Sequence, residues 1–387
     1  MVIPEGIRAY AAINLDNLKR NFEIIKSNLP ESVGVIAVVK ANAYGHGAVY
    51  VARALEDRCA YFAVATPAEA YELRENGIKK PILIIGYSHP SEAARLSREN
   101  ITQCVFSLKY ARELSAELPC GQRLKIHIKL NTGMTRLGFD CTKSTTVSEI
   151  TEVQALTNLE IEGVFAHYAV ADDFSESEYT QRQLTLFQIT VQSLEEAGIK
   201  FKYKHHSNSA GCLFGENSQM NLARAGIMLY GSYPSQQVKD SWLKLHPDRE
   251  LLPVMSLYGR VAQIRKLEPD TTVGYGRSYR APSERTVAVI TLGYADGIPR
   301  LSSNRAKVIS SDISLVGRVC MDMLLADITD TTLDIRENSL VELFGEHSLP
   351  IEALSDAAET ISYEVMCDIS KRIPRVIYSG GSVIAIV

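Results

Sequence analysis

The sequence predicts an α/β protein in which a (β/α)8 barrel is followed by a mostly β carboxy-terminal domain. Over the first two-thirds of the chain, short and nearly continuous apolar runs alternate with amphipathic helical patterns, as expected for parallel strands buried on both faces. Eight such runs occur, which is the strand number of a closed barrel. The pattern then changes to strand-like runs separated by turn residues. The chain has 387 residues, more than one compact core usually supports.

The predicted barrel strands are separated by connections long enough for crossover helices, and the seventh and eighth strands are the least regular. The strands are Val33–Lys40, Tyr61–Thr66, Pro81–Gly86, Ile101–Ser107, Leu124–Asn131, Ile161–Tyr168, Tyr203–Ser209 and Ala223–Tyr230. The clearest helical patterns are Ala48–Asp57, Pro67–Asn76, Pro90–Asn100, Leu108–Leu118 and Thr180–Ala197. Gly77 and Gly198 stand where two of these helices would end.

The composition changes over residues 231–248, a segment rich in Ser, Gln, Pro and charge. This change predicts a barrel domain over residues 1–245 and a β-rich domain over residues 246–387, although residues 1–11 could instead pack with the second domain. The predicted strands of the second domain are Met255–Ile264, Thr286–Tyr294, Lys307–Ile309, Ile313–Val316, Met323–Asp327, Ser339–Leu343 and Ser382–Ile386. One helical patch covers Ile351–Ala358.

Bulk properties exclude several classes of protein. Lysine and arginine total 41 against 45 acidic residues, a net charge of −4 that gives no bulk attraction to nucleic acid or an anionic membrane. The segment Met1–Tyr10 lacks the apolar core of a secretory signal, and no apolar stretch approaches the roughly 18 residues of a membrane span. Seven scattered cysteines without a CxxC pair favour reduced thiols in a cytoplasmic protein, with neither disulfides nor zinc.

Candidate chemistry begins at the end of the first predicted strand, where Lys40 follows an apolar run. A lysine there would point into the mouth of the barrel, where active sites of this fold lie. Poor solvation would lower its pKa and free the amine for a Schiff base or for proton abstraction. The alternative is a strand-end lysine whose ammonium simply reaches solvent.

Further polar residues fall at the same predicted edge of the barrel. A planar imidazole, two arginines and a set of hydroxyl and backbone N–H donors from the last strands would surround the lysine, and such donors suit a phosphate. Together with a lysine nucleophile, this set suits pyridoxal 5′-phosphate. His205 and His206 are adjacent and would point to opposite faces of a strand, so no metal site is predicted. The other candidates are Arg136, His167, Asn208, Ser209, Arg224, Gly226 and Ile227.

The sequence resembles the alanine racemase family over essentially its whole length. The resemblance is carried by VVKANAYGHG (38–47), KLNTGMTRLGF (129–139), HHSNSA (205–210), ARAGIMLYG (223–231), VGYGRSY (273–279), GYADGIPR (293–300), VGRVCMDM (316–323) and ISYEVMCDISKRIPR (361–375). It implies the predicted fold, a pyridoxal phosphate cofactor, and a homodimer whose active sites are shared across the subunit interface.

The resemblance also implies roles for individual residues. Lys40 is similar to the Schiff-base lysine and first catalytic base, and Tyr275 to a second base that the partner subunit supplies. Arg224 corresponds to the arginine at the pyridine nitrogen, and His167 to the histidine stacked on the ring. The positions that match phosphate contacts, with Asn208 beside them, are Tyr44, Ser209, Gly226, Ile227 and Tyr363.

The remaining implied roles concern substrate and access. Arg136 and the Met321 backbone match contacts to the substrate carboxylate, and Lys129 matches a lysine that many members carry as a carbamate. The matches to an access corridor are Asp172, Tyr294, Arg300, Arg318, Asp322 and Ile361. The chain departs from many members at Asn131, Met323 and Asp368. Tyr275 taken alone could also be an ordinary loop aromatic.

The function expected from this resemblance is the interconversion of L- and D-alanine by two bases, which supplies D-alanine for peptidoglycan. Arg224 cannot accept a proton from a ring nitrogen, which favours a racemase over a decarboxylase. The alternatives are a related racemase acting on serine or other amino acids and a barrel-type decarboxylase of basic amino acids. A non-catalytic carrier of pyridoxal phosphate is disfavoured, because carriers of that kind lack the second domain.

Overall fold

The computed structural model describes residues 6–213 and 220–387, and it confirms the predicted barrel. Residues 1–5, which are half of the segment Met1–Tyr10 for which no secretory signal was predicted, lie outside the described residues. Seven strands pair in parallel in chain order, and the eighth pairs with the first. The barrel strands are Gly34–Val38, Tyr61–Val64, Ile82–Ile84, Ile101–Val105, Leu124–Asn131, Leu159–Phe165, Tyr203–His205 and Leu222–Ala225.

Asn221 joins the seventh and eighth strands. Its backbone N–H donates to the Lys204 carbonyl (3.1 Å), and its side-chain oxygen accepts the Lys204 N–H (2.9 Å). The parallel barrel is therefore nearly closed, and the carboxyl ends of its strands meet at one mouth, where this fold carries its active sites.

The helices lie close to their predicted positions where the amphipathic pattern is strong. Gly77 and Gly198 have φ angles of 86° and 90° and end two of them, as predicted. The predicted helix over Pro90–Asn100 divides into a 3-10 turn, Pro90–Glu92, and a short helix, Ala93–Arg98. The helices associated with the barrel are Leu15–Ser27, Ala48–Leu55, Pro67–Glu75, Ala93–Arg98, Leu108–Ala116, Thr146–Gln154, Ser177–Glu196, Ser209–Leu213 and Gln236–Leu245.

Several barrel strands end earlier than the sequence predicted. The first ends at Val38, and Lys40 begins a helical turn; the sixth ends at Phe165, before His167. The seventh ends at His205, so Ser209 begins a helix instead of ending a strand. The eighth ends at Ala225, and a buried 3-10 turn, Ile227–Tyr230, follows it. These segments remain largely buried because the loops at the mouth of the barrel are themselves packed, so the sequence pattern alone could not mark the strand ends.

The second domain is built on an eight-stranded sheet around the long strand Met255–Leu267. Two strands of this sheet were missed: Ala9–Asn14, which pairs with Met255–Leu267, and Arg375–Ser379, which pairs with Ala9–Asn14. The predicted strand Lys307–Ile309 was wrong, because only Lys307 makes a bridge, to Ser314. The other strands of the sheet are Arg285–Ile290, Ser314–Leu315, Leu324–Asp327, Leu340–Phe344 and Ser382–Ile386. Two-residue strands occur at Phe139–Asp140, Thr272–Val273 and Tyr279–Arg280, and the helices are Glu352–Ala357 and Ser362–Asp368.

The segment of changed composition at 231–248 contains the helix Gln236–Leu245, whose Trp242 is fully buried. Its Ser235 hydroxyl caps the helix by accepting the Val238 N–H (3.3 Å). This helix was not predicted, because the polar residues on its outer face dominate the composition of the segment. Among the helices of the described residues, none is long and apolar enough to cross a membrane.

Candidate active site

A cavity of about 470 Å3 opens at the mouth of the barrel and brings many of the predicted residues together. It lies between the carboxyl ends of the strands and the helix Ser362–Asp368 of the second domain. The predicted residues that line it are Lys40, Tyr44, Asp172, His167, Asn208, Ser209, Arg224, Gly226, Ile227, Ile361 and Tyr363.

The backbone after Lys40 forms one turn of left-handed helix. Four consecutive residues, Ala41 to Tyr44, have φ angles between 51° and 54°. This conformation costs non-glycine residues about 1–2 kcal/mol each, so surrounding contacts must hold it. His46 is fully buried and donates from Nδ1 to the carbonyls of Ala43 (2.9 Å) and Tyr44 (2.8 Å). The turn directs Lys40 towards the cavity, and sequence pattern gave no sign of it.

Lys40 is half-buried, and its pKa lies below the ordinary value of a lysine. Burial is the main cause, and the positive charge of Arg136 adds to it, whereas Cys367 and Glu69 act in the opposite direction. A lowered pKa makes the neutral, nucleophilic amine available at lower pH than for a surface lysine. The prediction that poor solvation perturbs this amine is therefore supported by its surroundings.

One end of the cavity has the form of an anion cradle around Gly226. A Cβ at this position would lie 3.0 Å from the Tyr44 hydroxyl and 3.4 Å from Ser209 Oγ, so the missing side chain leaves a space lined by hydroxyls. Ser209 Oγ accepts the Gly226 N–H (3.0 Å) and retains its own proton to donate. Burial raises the pKa of both Tyr44 and Tyr363, which keeps their hydroxyls neutral and able to donate. This group of hydroxyl donors around Gly226 suits a phosphate.

Arg224 is buried on the eighth strand and held by several acceptors. Its guanidinium donates to the carbonyls of Ala166 (2.7 Å) and His206 (2.8 Å), to His205 Nδ1 (2.6 Å) and to His167 Nδ1 (3.2 Å). Because arginine only donates, both imidazoles must accept at Nδ1 and are neutral. Burial and the charge of Arg224 lower the pKa of His167 to about 2, in agreement with this assignment.

The donor-only character of Arg224 also fixes a longer chain of hydrogen bonds. His205 accepts at Nδ1, so it carries its proton on Nε2 and donates to His127 Nδ1 (3.0 Å). Burial lowers the pKa of His127 to about 3, so this ring is neutral as well. The chain gives Arg224 one orientation at the cavity wall. Neither His127 nor its place behind Arg224 was predicted from the sequence.

Lys129 and Arg136 lie beyond the lining of the cavity. Lys129 is buried, its Nζ lies 4.4 Å from the centre of the Phe165 ring, and its pKa is far below the ordinary value because of burial and the charge of Arg224. Arg136 is exposed on the following loop. Asn131, one of the departures from the family pattern, accepts the N–H groups of Gly133 (3.2 Å) and Thr135 (2.9 Å) and so shapes that loop.

The other predicted residues lie on the second domain and do not line this cavity. Tyr275 is 66% exposed, on a turn whose flanking Gly274 and Gly276 have φ angles of 69° and 68°. A Cβ on Gly276 would meet the Arg318 guanidinium at 3.0 Å, so Arg318 lies beside the Tyr275 turn. The remaining members of this exposed group are Tyr294, Arg300, Met321 and Asp322.

The Met321 loop packs closely on the segment 293–300. The Tyr294 N–H donates to the Cys320 carbonyl and the Ala295 N–H to the Met321 carbonyl, both at 3.0 Å. A Cβ on Gly293 would lie 2.3 Å from the Met321 carbonyl oxygen, so only glycine permits this approach. The backbone of Met321 is therefore rigidly placed although its side chain is exposed.

Comparisons with known proteins identify the family. A model of the alanine racemase amino-terminal domain matches residues 13–234, and a model of the carboxy-terminal domain matches residues 254–377. An alanine racemase from Desulforamulus reducens is 39% identical over 371 residues, which are 95% of this chain and 98% of that one. This chain belongs to the alanine racemase family.

Solved structures of family members have the same architecture. The alanine racemase of Clostridium difficile 630 superposes with a TM-score of 0.91 at 38% identity, covering 99% of both chains, and a complex of it with cycloserine is similar. The Bacillus anthracis alanine racemase with bound L-Ala-P has a TM-score of 0.88 at 30% identity, covering 100% of this chain and 98% of that one. The two family models together include every predicted site residue.

Proposed function

We propose that this protein is an alanine racemase that interconverts L-alanine and D-alanine with pyridoxal 5′-phosphate, and that it supplies D-alanine for peptidoglycan. The observation that carries the proposal is one cavity lined by the Lys40 amine, by the donor-only Arg224 and by the hydroxyl cradle around Gly226. Membership of the alanine racemase family supports the same activity.

The residues of the cavity fit this cofactor. The space that a Cβ on Gly226 would fill lies between hydroxyls that suit a phosphate, and a nucleophilic amine lines the same cavity. When bound, pyridoxal phosphate supplies an aldehyde to the lysine and a conjugated ring that stabilises negative charge at the substrate α-carbon. The residues that would hold it are Lys40, Tyr44, His167, Asn208, Ser209, Arg224, Gly226, Ile227 and Tyr363.

Racemisation requires a proton to leave one face of the α-carbon and another to arrive at the opposite face. Lys40 would hold or accept the proton on one face, because its lowered pKa favours the neutral amine. Tyr275 would serve the other face from the partner subunit of a homodimer, since it is exposed and absent from the lining of its own chain's cavity. Arg136 and the Met321 backbone would bind the substrate carboxylate.

Arg224 favours a racemase over the decarboxylase alternative. A carboxylate beside a ring nitrogen would keep that nitrogen protonated, whereas arginine cannot accept a proton and its neighbours His167 and His205 are neutral acceptors. Beside Arg224 a ring nitrogen would stay unprotonated, and the ring would withdraw fewer electrons from the substrate α-carbon. Arg224 would therefore disfavour transamination and decarboxylation relative to racemisation.

The proposal is tested by incubating the purified protein and pyridoxal phosphate with L-alanine in deuterated water. Loss of optical activity together with deuterium at the α-carbon, followed by polarimetry and proton NMR, is expected. Carbon dioxide from ornithine or lysine, with no exchange into alanine, would identify a decarboxylase instead. Faster exchange into serine than into alanine would identify a racemase of different specificity.

We further propose that Lys129 is carbamylated and holds Arg136. The reaction needs a neutral amine, which burial and the charge of Arg224 favour: the nitrogen attacks carbon dioxide, an N–C bond forms and a proton is released. With 13C-labelled bicarbonate, one carbamate signal is expected in the 13C NMR spectrum. It should vanish in Lys129→Met and persist in Lys125→Met, because Lys125, on the same strand, forms an ion pair with the Glu162 carboxylate (3.7 Å). A spectrum without this signal at ample bicarbonate would disprove the carbamate.

Tyr363 is expected to limit the size of the substrate side chain. It lines the cavity with its ring centre 6.0 Å from that of Tyr44, which leaves little room beside a methyl group. Tyr363→Ala should raise the ratio of kcat/KM for serine to that for alanine by about tenfold, the usual effect of a small change in pocket space. Tyr363→Phe keeps the ring and should leave the ratio near that of the unaltered protein; equal ratios in all three proteins would refute this role.

A further inference from the structure

Glu69 connects the ends of the first two barrel strands with a single carboxylate. Its Oε1 accepts the Ala41 N–H (2.6 Å), and its Oε2 accepts the N–H groups of Ala65 (2.7 Å) and Thr66 (3.1 Å). Hydrogen bonds to a charged acceptor are about twice as strong as neutral ones. The loop that follows the second strand is thus tied to the residue directly after Lys40.

The bond to Ala41 acts at the first residue of the left-handed turn. The far end of that turn is held separately, because Arg375 Nε donates to the Gly45 carbonyl (2.9 Å) and Asn42 Oδ1 accepts the Ala48 N–H (2.8 Å). The near end adjoins Lys40, where a strained backbone must be kept from relaxing. Glu69 is well placed for this, because it forms a capping box with Thr66 at the start of its own helix, where Pro67 occupies the first turn.

We propose that Glu69 is a positioning residue for Lys40: its carboxylate holds the left-handed turn and thereby keeps the lysine amine directed into the cavity. This inference deepens the proposed function and rests on the role given there to Lys40. Nothing in the comparisons or in the family resemblance assigned a role to Glu69.

Glu69 also contributes charge to the surroundings of Lys40. The charged or titratable groups that act on the amine are Arg136 and Arg224, which lower its pKa, and Cys367 and Glu69, which raise it. Glu69→Gln removes the negative charge and turns one acceptor into a donor. The new amide cannot satisfy Ala41 on one side and the Ala65–Thr66 pair on the other, because its NH2 would face an N–H on one of the two sides.

The experiment measures the reactivity of the Lys40 amine in the full-length protein after any bound pyridoxal phosphate has been removed. Labelling of lysines by acetic anhydride is followed across pH by peptide mass spectrometry, and exchange of the Ala41 amide by hydrogen–deuterium exchange. In Glu69→Gln, Lys40 should label at lower pH than in the unaltered protein, and the peptide containing Ala41 should exchange faster. With pyridoxal phosphate added, kcat for alanine should fall about tenfold to a hundredfold, as for other small misplacements of reacting groups.

Two control variants distinguish a loss of Lys40 positioning from a weakened first turn of the helix Pro67–Glu75. Thr66→Ala removes the capping hydroxyl without touching Ala41, and Glu72→Gln removes an exposed charge one turn along the same helix. Both should keep the Lys40 labelling profile and kcat. Unchanged labelling and exchange in Glu69→Gln, or equal changes in Thr66→Ala, would overturn the inference. A protein in which borohydride does not fix pyridoxal phosphate to Lys40 would refute the proposed function instead, while the exchange of Ala41 would still report on Glu69.

Discussion

Replacing Lys40 with alanine is expected to lower kcat/KM for alanine racemisation by at least about 10³-fold. Loss of a positioned general base alone costs about 10²–10⁴-fold, and this lysine would also supply the nucleophile for the cofactor aldehyde. The reason lies in its surroundings, since burial and the charge of Arg136 lower the pKa of the Lys40 amine. The measurement is deuterium exchange at the α-carbon, with absorbance of bound pyridoxal phosphate as a second readout.

Two further variants make this result interpretable. Lys40→Arg keeps a positive charge but no nucleophilic amine, and it should be as inactive as Lys40→Ala. Lys109→Ala removes a solvent-exposed lysine of the helix Leu108–Ala116 and should behave as the unaltered protein does. Circular dichroism checks that each variant is folded. Full α-carbon exchange in folded Lys40→Ala would show that another group carries the reaction.

The barrel was predictable because its strands are buried on both faces. Tyr61–Val64 and Ile101–Val105 are buried at every position, so they appear in the sequence as unbroken apolar runs. The strand Ala9–Asn14 was missed because it belongs to the second domain's sheet, where its partners Met255–Leu267 and Arg375–Ser379 are more than 240 residues away in the chain. A local sequence pattern cannot predict pairing between strands so far apart in the chain.

The candidate site was predictable as a set of residue types and not as an arrangement. Lys40 follows a recognisable apolar run, Arg224 lies on another, and the family resemblance added Tyr275. The neutral state of His205 depends on Arg224, a strand away, and Glu69 reaches Lys40's neighbour from a different helix. The left-handed turn at Ala41 is built from residues that rarely adopt positive φ, so propensity argued against it. These features follow from contacts between distant segments.

Tyr275→Phe is expected to reduce racemisation about 10²–10⁴-fold, which is the usual cost of removing a positioned base. With one base left, Lys40 should still exchange the α-proton of one enantiomer, while exchange from the other is lost. The phenol is 66% exposed in the single chain and lies outside the lining of the Lys40 cavity. A large aromatic presented on a turn between two glycines is suited to insert into a second copy of the chain.

A mixed dimer decides which subunit supplies this phenol. In a dimer of one Lys40→Ala chain and one Tyr275→Phe chain, isolated with two affinity tags, sites shared between subunits would pair the two intact residues in one site and the two altered residues in the other. Such a dimer should regain about half the activity of the unaltered protein, because one of its two sites is complete. If each chain used its own tyrosine, every site would lack one base, and the mixed dimer would be as inactive as its parents.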